Sequence, residues 1–218
     1  IESGAPNSVA VADFSGPRPS GTVGRHSHTL LPVGRTRSVW HLNYQQVLSI
    51  GVLVRTGRID HTRVVALCGP MVRRPRLLKT RVGANLYDLT SGELGEGEAR
   101  LISGSVLSGF HSSAPEVAFL GNHHNQISVL EEGRERFLLG WHSPGADKFS
   151  TSGIYVSQLN AGKKYDMTTT TNGSLRAMVP IGMYERVFAF DILPTFLLGG
   201  LLVDDIERAE RLRPLGLD

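Results

Sequence analysis

The sequence predicts an α+β protein, and three observations carry that reading. Apolar residues at Trp40, Tyr44, Val47, Leu48 and 51–54 follow a helical period. β-branched runs closed by Gly or Pro follow them, as in Arg63–Gly69. The chain then ends in a Pro-led apolar stretch that passes into charged helix at Asp191–Arg213. The 218 residues suffice for one large domain or two small ones. With 40% hydrophobic and 20% charged residues the composition is that of a folded globular chain, which argues against disorder.

In chain order, Val9–Ala12 reads as a short strand end, and the glycine- and proline-rich remainder up to Pro32 as loop. A helix is expected from Val39, with Gly57 as its C-terminal cap. Strands are expected over Arg63–Gly69 and Arg76–Val82, a short helix opened by Asn85 and Asp88, and a strand over Arg100–Gly109. That order is compatible with a small β-grasp-like unit and with many other α+β domains. Gln126–Leu130 and Arg136–Trp141 flank a Gly-containing link that suits a hairpin. More strand is expected over Phe149–Leu159 and over Tyr165–Met167 with the threonines that follow, leading to an Asn172-Gly173 turn. Pro194 sits early in a helix, where Pro is tolerated, and Asp204-Asp205 opens a second, charged one.

The longest apolar run, Phe196–Val203, is far short of the about 20 residues a bilayer span needs. No basic-then-apolar leader opens the chain, and a start at Ile1 leads to the expectation of a piece of a longer protein. A single cysteine, Cys68, excludes an internal disulfide and suits a reducing compartment. It reads as a small buried side chain in a strand. Net charge is +3, with a local cluster at Arg73, Arg74, Arg76, Lys79 and Arg81. Such a cluster could favour an acidic partner or an anionic membrane surface, but the preferred reading is the solvated edge strand of a sheet, which commonly carries Lys and Arg as protection.

Catalytic signatures are missing. In Gly16–Gly24, Thr22 stands where a phosphate-binding loop needs Lys, and Val23 where it needs a hydroxyl. No G-x-G-x-x-G or nucleophile elbow is present. His26 and His28 would share one face of a strand, and His123-His124 would lie in a loop, but neither pair adds the cysteines or acids of a zinc site. The expectation is therefore no catalytic, cofactor-binding or metal-binding residue. The segment Thr168–Val187 is the densest in unusual residues. Asn172, Gly173, Arg176, Met178, Tyr184, Glu185 and Arg186 are its candidate interface residues, read against a hairpin held by internal Arg–Glu185 pairing.

Val64–Pro70, Pro75–Arg81, Leu101–Gly109, Asn125–Glu135 and Thr168–Val187 resemble the A subunit of the sodium-translocating NADH:quinone oxidoreductase. Gly16–His28, Trp40–Gln45 and Asp191–Thr195 extend the likeness over nearly the whole chain. The resemblance implies residues 1–61 as the end of a Rossmann-like domain, 62–145 as a β-grasp domain of the soluble-ligand-binding type, and 146–218 as strands leading into helices. It implies a fragment lacking both ends of a peripheral subunit on the cytoplasmic face of the bacterial inner membrane. That subunit carries no flavin, nucleotide or metal, and serves a complex that uses NADH and ubiquinone and exports sodium. Its expected partners are the other subunits, chiefly a membrane subunit, and quinone, but no nucleic acid. The seven candidate residues would then face quinone or a membrane subunit. Gly199-Gly200 stands where the family pattern leads one to expect Arg-Asp, and His123-His124 where it usually has Arg-Tyr-His. The rival reading is a stand-alone ligand- or partner-binding module related by fold to the flavoprotein subunit of respiratory complex I.

Overall fold

The computed structural model describes residues 9–212 apart from 18, 112, 113, 136, 138, 151, 161 and 175. The chain divides into two compact units, one of residues 1–42 with 176–218 and one of residues 43–175.

The second unit is built on a mixed five-stranded sheet in the order β2-β1-β5-β3-β4. Its strands are β1 (Thr62–Cys68), β2 (Arg76–Arg81), β3 (Ala99–Ser103), β4 (Phe110–His111) and β5 (Gln126–Glu131). β1 pairs antiparallel with β2, with Val65 opposite Leu78, and parallel with β5, with Leu67 opposite Ile127. β3 pairs antiparallel with both β5 and β4. Alternation along β1 buries Val65 and Leu67 and leaves Val64 exposed. Val65, Leu67, Ile127, Val129 and Leu101 form one sheet face of the core. The short helix α3 (Leu86–Thr90) closes over it through Leu86, which is fully buried. Asn85 caps that helix, accepting from the backbone N–H of Tyr87, so the predicted start holds. β5 is buried from Ile127 to Leu130, which marks it as the middle strand.

Helix α2 (Tyr44–Thr56) begins later than the expected Val39. Asn43 and Gln46 form a reciprocal capping box, and that fixes the start. Trp40 lies outside the helix and is 93% exposed. Gly57 ends it in the left-handed region (φ 68°), as expected. The side of α2 that meets the sheet is the polar one. Gln45 donates from Nε2 to the Val64 carbonyl at 2.8 Å and accepts from the Val64 N–H at 2.8 Å. Its amide thus pairs with β1 as a neighbouring strand would, just beyond the point where β5 begins. Arg63, also buried, donates to Ser49 Oγ at 3.0 Å. Tyr44, Val47, Leu48 and Val54, the residues that signalled the helix, are exposed.

Several expected elements are absent. Val9–Ala12 forms no strand, and the segment expected to be loop up to Pro32 holds α1 (Val23–Leu30). The strand expected over Arg100–Gly109 ends at Ser103, because Gly104 (φ 99°) turns the chain. β4 was not anticipated. Where a hairpin is expected across Glu131–Glu135, β5 is already paired by β3 as far as Glu131, by β1 as far as Ser128 and by a bridge from Thr168 at Glu131. Gly140–His142 is a 3-10 turn instead, while residues 136 and 138 lie outside the described ones. Val156–Leu159 is likewise 3-10 rather than strand. Cys68 is half-buried beside the Ile127 carbonyl.

The other unit joins α1 to α4 (Met183–Val187), α5 (Pro194–Leu202) and α6 (Ile206–Arg211). Arg25 donates to the Ala189 carbonyl at 2.7 Å, and Arg35 pairs with Glu210. The second, charged helix expected at Asp204-Asp205 is present as α6. Asp204 in the left-handed region separates it from α5, and Asp205 caps it by accepting from the Arg208 N–H. Pro194 opens α5 as predicted. α5 buries Leu197 and Gly200 and exposes Phe196 and Leu202.

Gln45→Leu should cost about 1–3 kcal/mol for each Val64 backbone group it strands, read as a lower urea midpoint with unchanged slope. A midpoint equal to the parent's would show that the amide pairing contributes nothing. Leu86→Ala should cost about 2–5 kcal/mol in the same measurement.

Candidate functional site

A cleft of about 760 Å³ opens in the second unit where the end of β5 meets the threonine run. Its floor is a short exchange of hydrogen bonds. Thr169 donates its N–H to the Glu131 carbonyl at 3.1 Å, and Thr168 forms a parallel bridge with Glu131. Gly133 donates to Thr169 Oγ1 at 2.9 Å, and Thr169 Oγ1 donates to Glu132 Oε1 at 2.8 Å. A side chain at Gly133 would meet the Thr170 backbone N at 2.6 Å, so only Gly admits this approach. The expected strand over Tyr165 and the threonines is thus a single bridge and a docked loop.

Forked ion pairs hold the floor to β3. Arg100 donates to both Glu132 oxygens at 2.7 and 2.5 Å, and Arg134 to both Glu98 oxygens at 2.5 and 2.6 Å. The Arg100 bond, helped by Thr169, holds the Glu132 carboxyl below its usual range, and Arg134 does the same to Glu98. Arg134 is raised by Glu98 in return. On the wall, Lys148 donates to the Gly140 carbonyl at 2.6 Å. Its ammonium lies 5.3 Å from the Phe137 ring centre and 5.6 Å from that of Tyr155. The cleft therefore offers hydroxyls, one ammonium and two aromatic faces, a set suited to holding a polar or aromatic group.

Of the sequence-predicted residues, Asn172 and Gly173 line this cleft. Asn172 takes the left-handed conformation (φ 52°), but Gly173 does not, so the pair is not the mirror-image turn of a two-residue hairpin. Arg176, Met178, Tyr184, Glu185 and Arg186 belong to the other unit. Arg176 and Arg186 are exposed, Met178 and Tyr184 half-buried. Internal Arg–Glu185 pairing is not observed among the described residues. Glu185 instead accepts from Thr195 Oγ1 at 2.5 Å, which lowers its pKa and sets a negative charge at the N-terminus of α5. Sequence reasoning missed Glu132, Lys148 and Thr169. The alternating charges at Glu132, Arg134 and Glu135 were the available signal.

A second cluster joins Ser103 and His124. Ser103 Oγ accepts from the Gly121 N–H at 2.9 Å and lies 2.8 Å from His124 Nδ1, with Phe110 against the imidazole at 5.3 Å between ring centres. Ser103 is buried, and its oxygen is already engaged, so the pair clamps the loop of Gly121 and His124 onto the end of β3 rather than forming a nucleophile and base. His26 and His28 stand on α1, not on a strand; His26 bonds the Ser20 carbonyl and His28 packs edge-on to Phe190. Among the described residues no group of three His, Cys, Asp or Glu is placed to hold a metal ion. No described helix is long and apolar enough to cross a membrane.

These groups set the acid response. Burial lowers the His124 pKa, with help from His123, so the stability of the neutral ring is complete above about 6.5 and is lost as pH falls toward the folded value. Glu98 and Glu132, also lowered, contribute above their ordinary value and lose that contribution as pH falls through their folded values. Melting temperature should therefore fall in two stages. His124→Gln should flatten the upper stage and Glu132→Gln the lower. A single stage unaffected by either variant would refute the assignment.

Two family models match the chain, one described as "NqrA second alpha/beta domain" at residues 1–59 and one as "NQRA C-terminal domain" at 64–114. The chain is 55% identical over 205 residues to the A subunit of the Na(+)-translocating NADH-quinone reductase of Hahella chejuensis, covering 94% of this chain and 46% of that protein. It is 53% identical to the corresponding protein of Alcanivorax borkumensis, with 94% and 45% covered. Against that of Vibrio campbellii it is 49% identical over its whole length, covering 49% of the relative. The chain spans about half the length of the curated relatives it matches. The chain belongs to the family of the A subunits of Na(+)-translocating NADH-quinone reductases.

Proposed function

We propose that this chain serves as part of the peripheral A subunit of a sodium-translocating NADH:quinone reductase, on the cytoplasmic face of the bacterial inner membrane. The complex couples NADH oxidation and ubiquinone reduction to sodium export. This chain contributes a structural or quinone-site role and binds no redox centre of its own. The observation that carries the reading is 55% identity across 94% of the chain to a protein of that name. The absence of a membrane-crossing helix among the described residues is compatible with a peripheral place. In this reading residues 1–61 end a Rossmann-like domain, 62–145 form a β-grasp domain and 146–218 lead into helices. A first hairpin whose leading strand pairs in parallel with the last strand, under a short crossing helix, supports the β-grasp part.

Asn172, Gly173, Arg176, Met178, Tyr184, Glu185 and Arg186 are proposed to face a membrane subunit or quinone. Arg176 and Arg186 are exposed cations that make no ion pair among the described residues, and they offer forked donors to a carboxylate. The test is affinity purification of the tagged full-length protein from native membranes. Multispanning subunits and NADH-driven quinone reduction should follow the tag; a protein recovered alone, from membranes that retain the activity, refutes the reading. Arg176→Ala should change stability by no more than about 0.5 kcal/mol, as exposed substitutions do. It should also lower recovery of the membrane subunits. Unchanged recovery and unchanged quinone reduction would remove Arg176 from the interface.

A further inference from the structure

β2 is an edge of the sheet, and the phase of its pairing decides which of its backbone groups are free. Val82 donates its N–H to the His61 carbonyl, so the hydrogen-bonded pairs that follow are Thr80 with Arg63 and Leu78 with Val65. The N–H and C=O of Leu77 and Lys79 therefore point away from β1. They have no backbone partner among the described residues.

The same segment concentrates charge. Arg73, Arg74, Arg76, Lys79 and Arg81 are all exposed. Two carboxylates answer them. Glu93 takes a forked bond from Arg76 at 2.6 and 2.7 Å and lies in the field of Arg73 and Arg74, while Asp60 lies in that of Lys79. A charged edge ordinarily guards against pairing with other chains. That purpose does not explain Leu77, which is 70% exposed and shares the outer sheet face with Lys79 and Arg81. Leu78, one residue on, packs against the core, and alternation puts its neighbours on the opposite face. Guarding also does not need the cations of the preceding loop.

We propose that β2 is the docking edge for an extended acidic polypeptide segment, which adds a strand beside Leu77 and Lys79. Backbone bonds to the free groups supply the register, and Leu77 supplies an apolar contact. Arg73, Arg74, Lys79 and Arg81 draw and hold acidic side chains. A row of backbone donors and acceptors favours a peptide over an anionic lipid surface, which has no groups to match their spacing.

The probe is a labelled synthetic peptide of alternating Glu and Val, titrated against the full-length protein by fluorescence anisotropy. Hydrogen exchange of the 76–82 segment is followed by mass spectrometry. The peptide should bind, binding should weaken with salt, and exchange in that segment should slow. Leu77→Pro removes one outward N–H without touching the ladder to β1, a position where an edge strand tolerates Pro. It should weaken binding about tenfold or more, as should Lys79→Glu if the proline variant does not fold. A peptide N-methylated at alternate residues should lose binding too. Equal binding by the N-methylated peptide, or by Leu77→Pro with an intact melt, would reduce the site to unspecific charge attraction and overturn the proposal. Failure of the peptide to bind while phosphatidylglycerol vesicles do would overturn it in favour of a membrane.

Discussion

β1 and β5 lie side by side in parallel at the centre of residues 43–175, and a parallel pair cannot be joined by a tight turn. The chain between them must cross over, and in doing so it lays down β2, α3, β3 and β4. Val65 and Leu67 on β1 meet Ile127 and Val129 on β5 in the same core cluster. Leu86 on the crossover helix can be buried only because these residues present a continuous apolar face. The parallel contact also stops short, since β5 begins opposite Ala66. That leaves the first half of β1 open on one side, and the Gln45 amide fills the gap. The placement of α2 thus follows from the length of β5.

β5 governs the cleft as well. At the end of its pairing with β3 the Glu132 N–H still donates to the Glu98 carbonyl at 2.8 Å, and crossed ion pairs join Arg100 to Glu132 and Arg134 to Glu98. Glu132 is the better sheltered of the two acids, with 15% of its side chain exposed against 56% for Glu98. A pair as open as Arg134–Glu98 contributes little, on the order of 0–1 kcal/mol. Arg100–Glu132 matters more because its acid also receives Thr169, and so ties the threonine run to the sheet. The ammonium of Lys148, held between Phe137 and Tyr155, completes a wall that no regular element would supply.

Both helices with strong apolar signals keep much of that surface outward. α2 turns Gln45, Gln46 and Ser49 toward the sheet and leaves Val47 and Leu48 exposed. α5 is apolar all round, yet only Pro194, Leu197 and Gly200 are buried. A Cβ at Gly200 would meet the Arg208 stem at 3.7 Å, an ordinary contact distance. A helical period reports that one face differs from another. It does not report which of them meets the rest of the chain.

By itself the sequence determined the elements whose cause is local. The caps at Asn85 and Gly57, the proline opening of α5 and the alternating strands β1 and β2 were legible because their energetics lie within a few neighbouring residues. The resemblance carried by Val64–Pro70, Leu101–Gly109 and Thr168–Val187 was legible too, and the relatives agree with it. The tertiary structure decided the rest. It gave the edges of β5 to partners distant in sequence, with β3 pairing as far as Glu131, β1 as far as Ser128 and Thr168 bridging Glu131. It turned the threonine run from a strand into a docked loop, because the partners of Thr169 are Glu131, Glu132 and Gly133. It also gave Glu185 to Thr195 rather than to an arginine. Each of these outcomes depends on which distant group occupies a hydrogen-bonding position first, and local propensity carries no information about that competition.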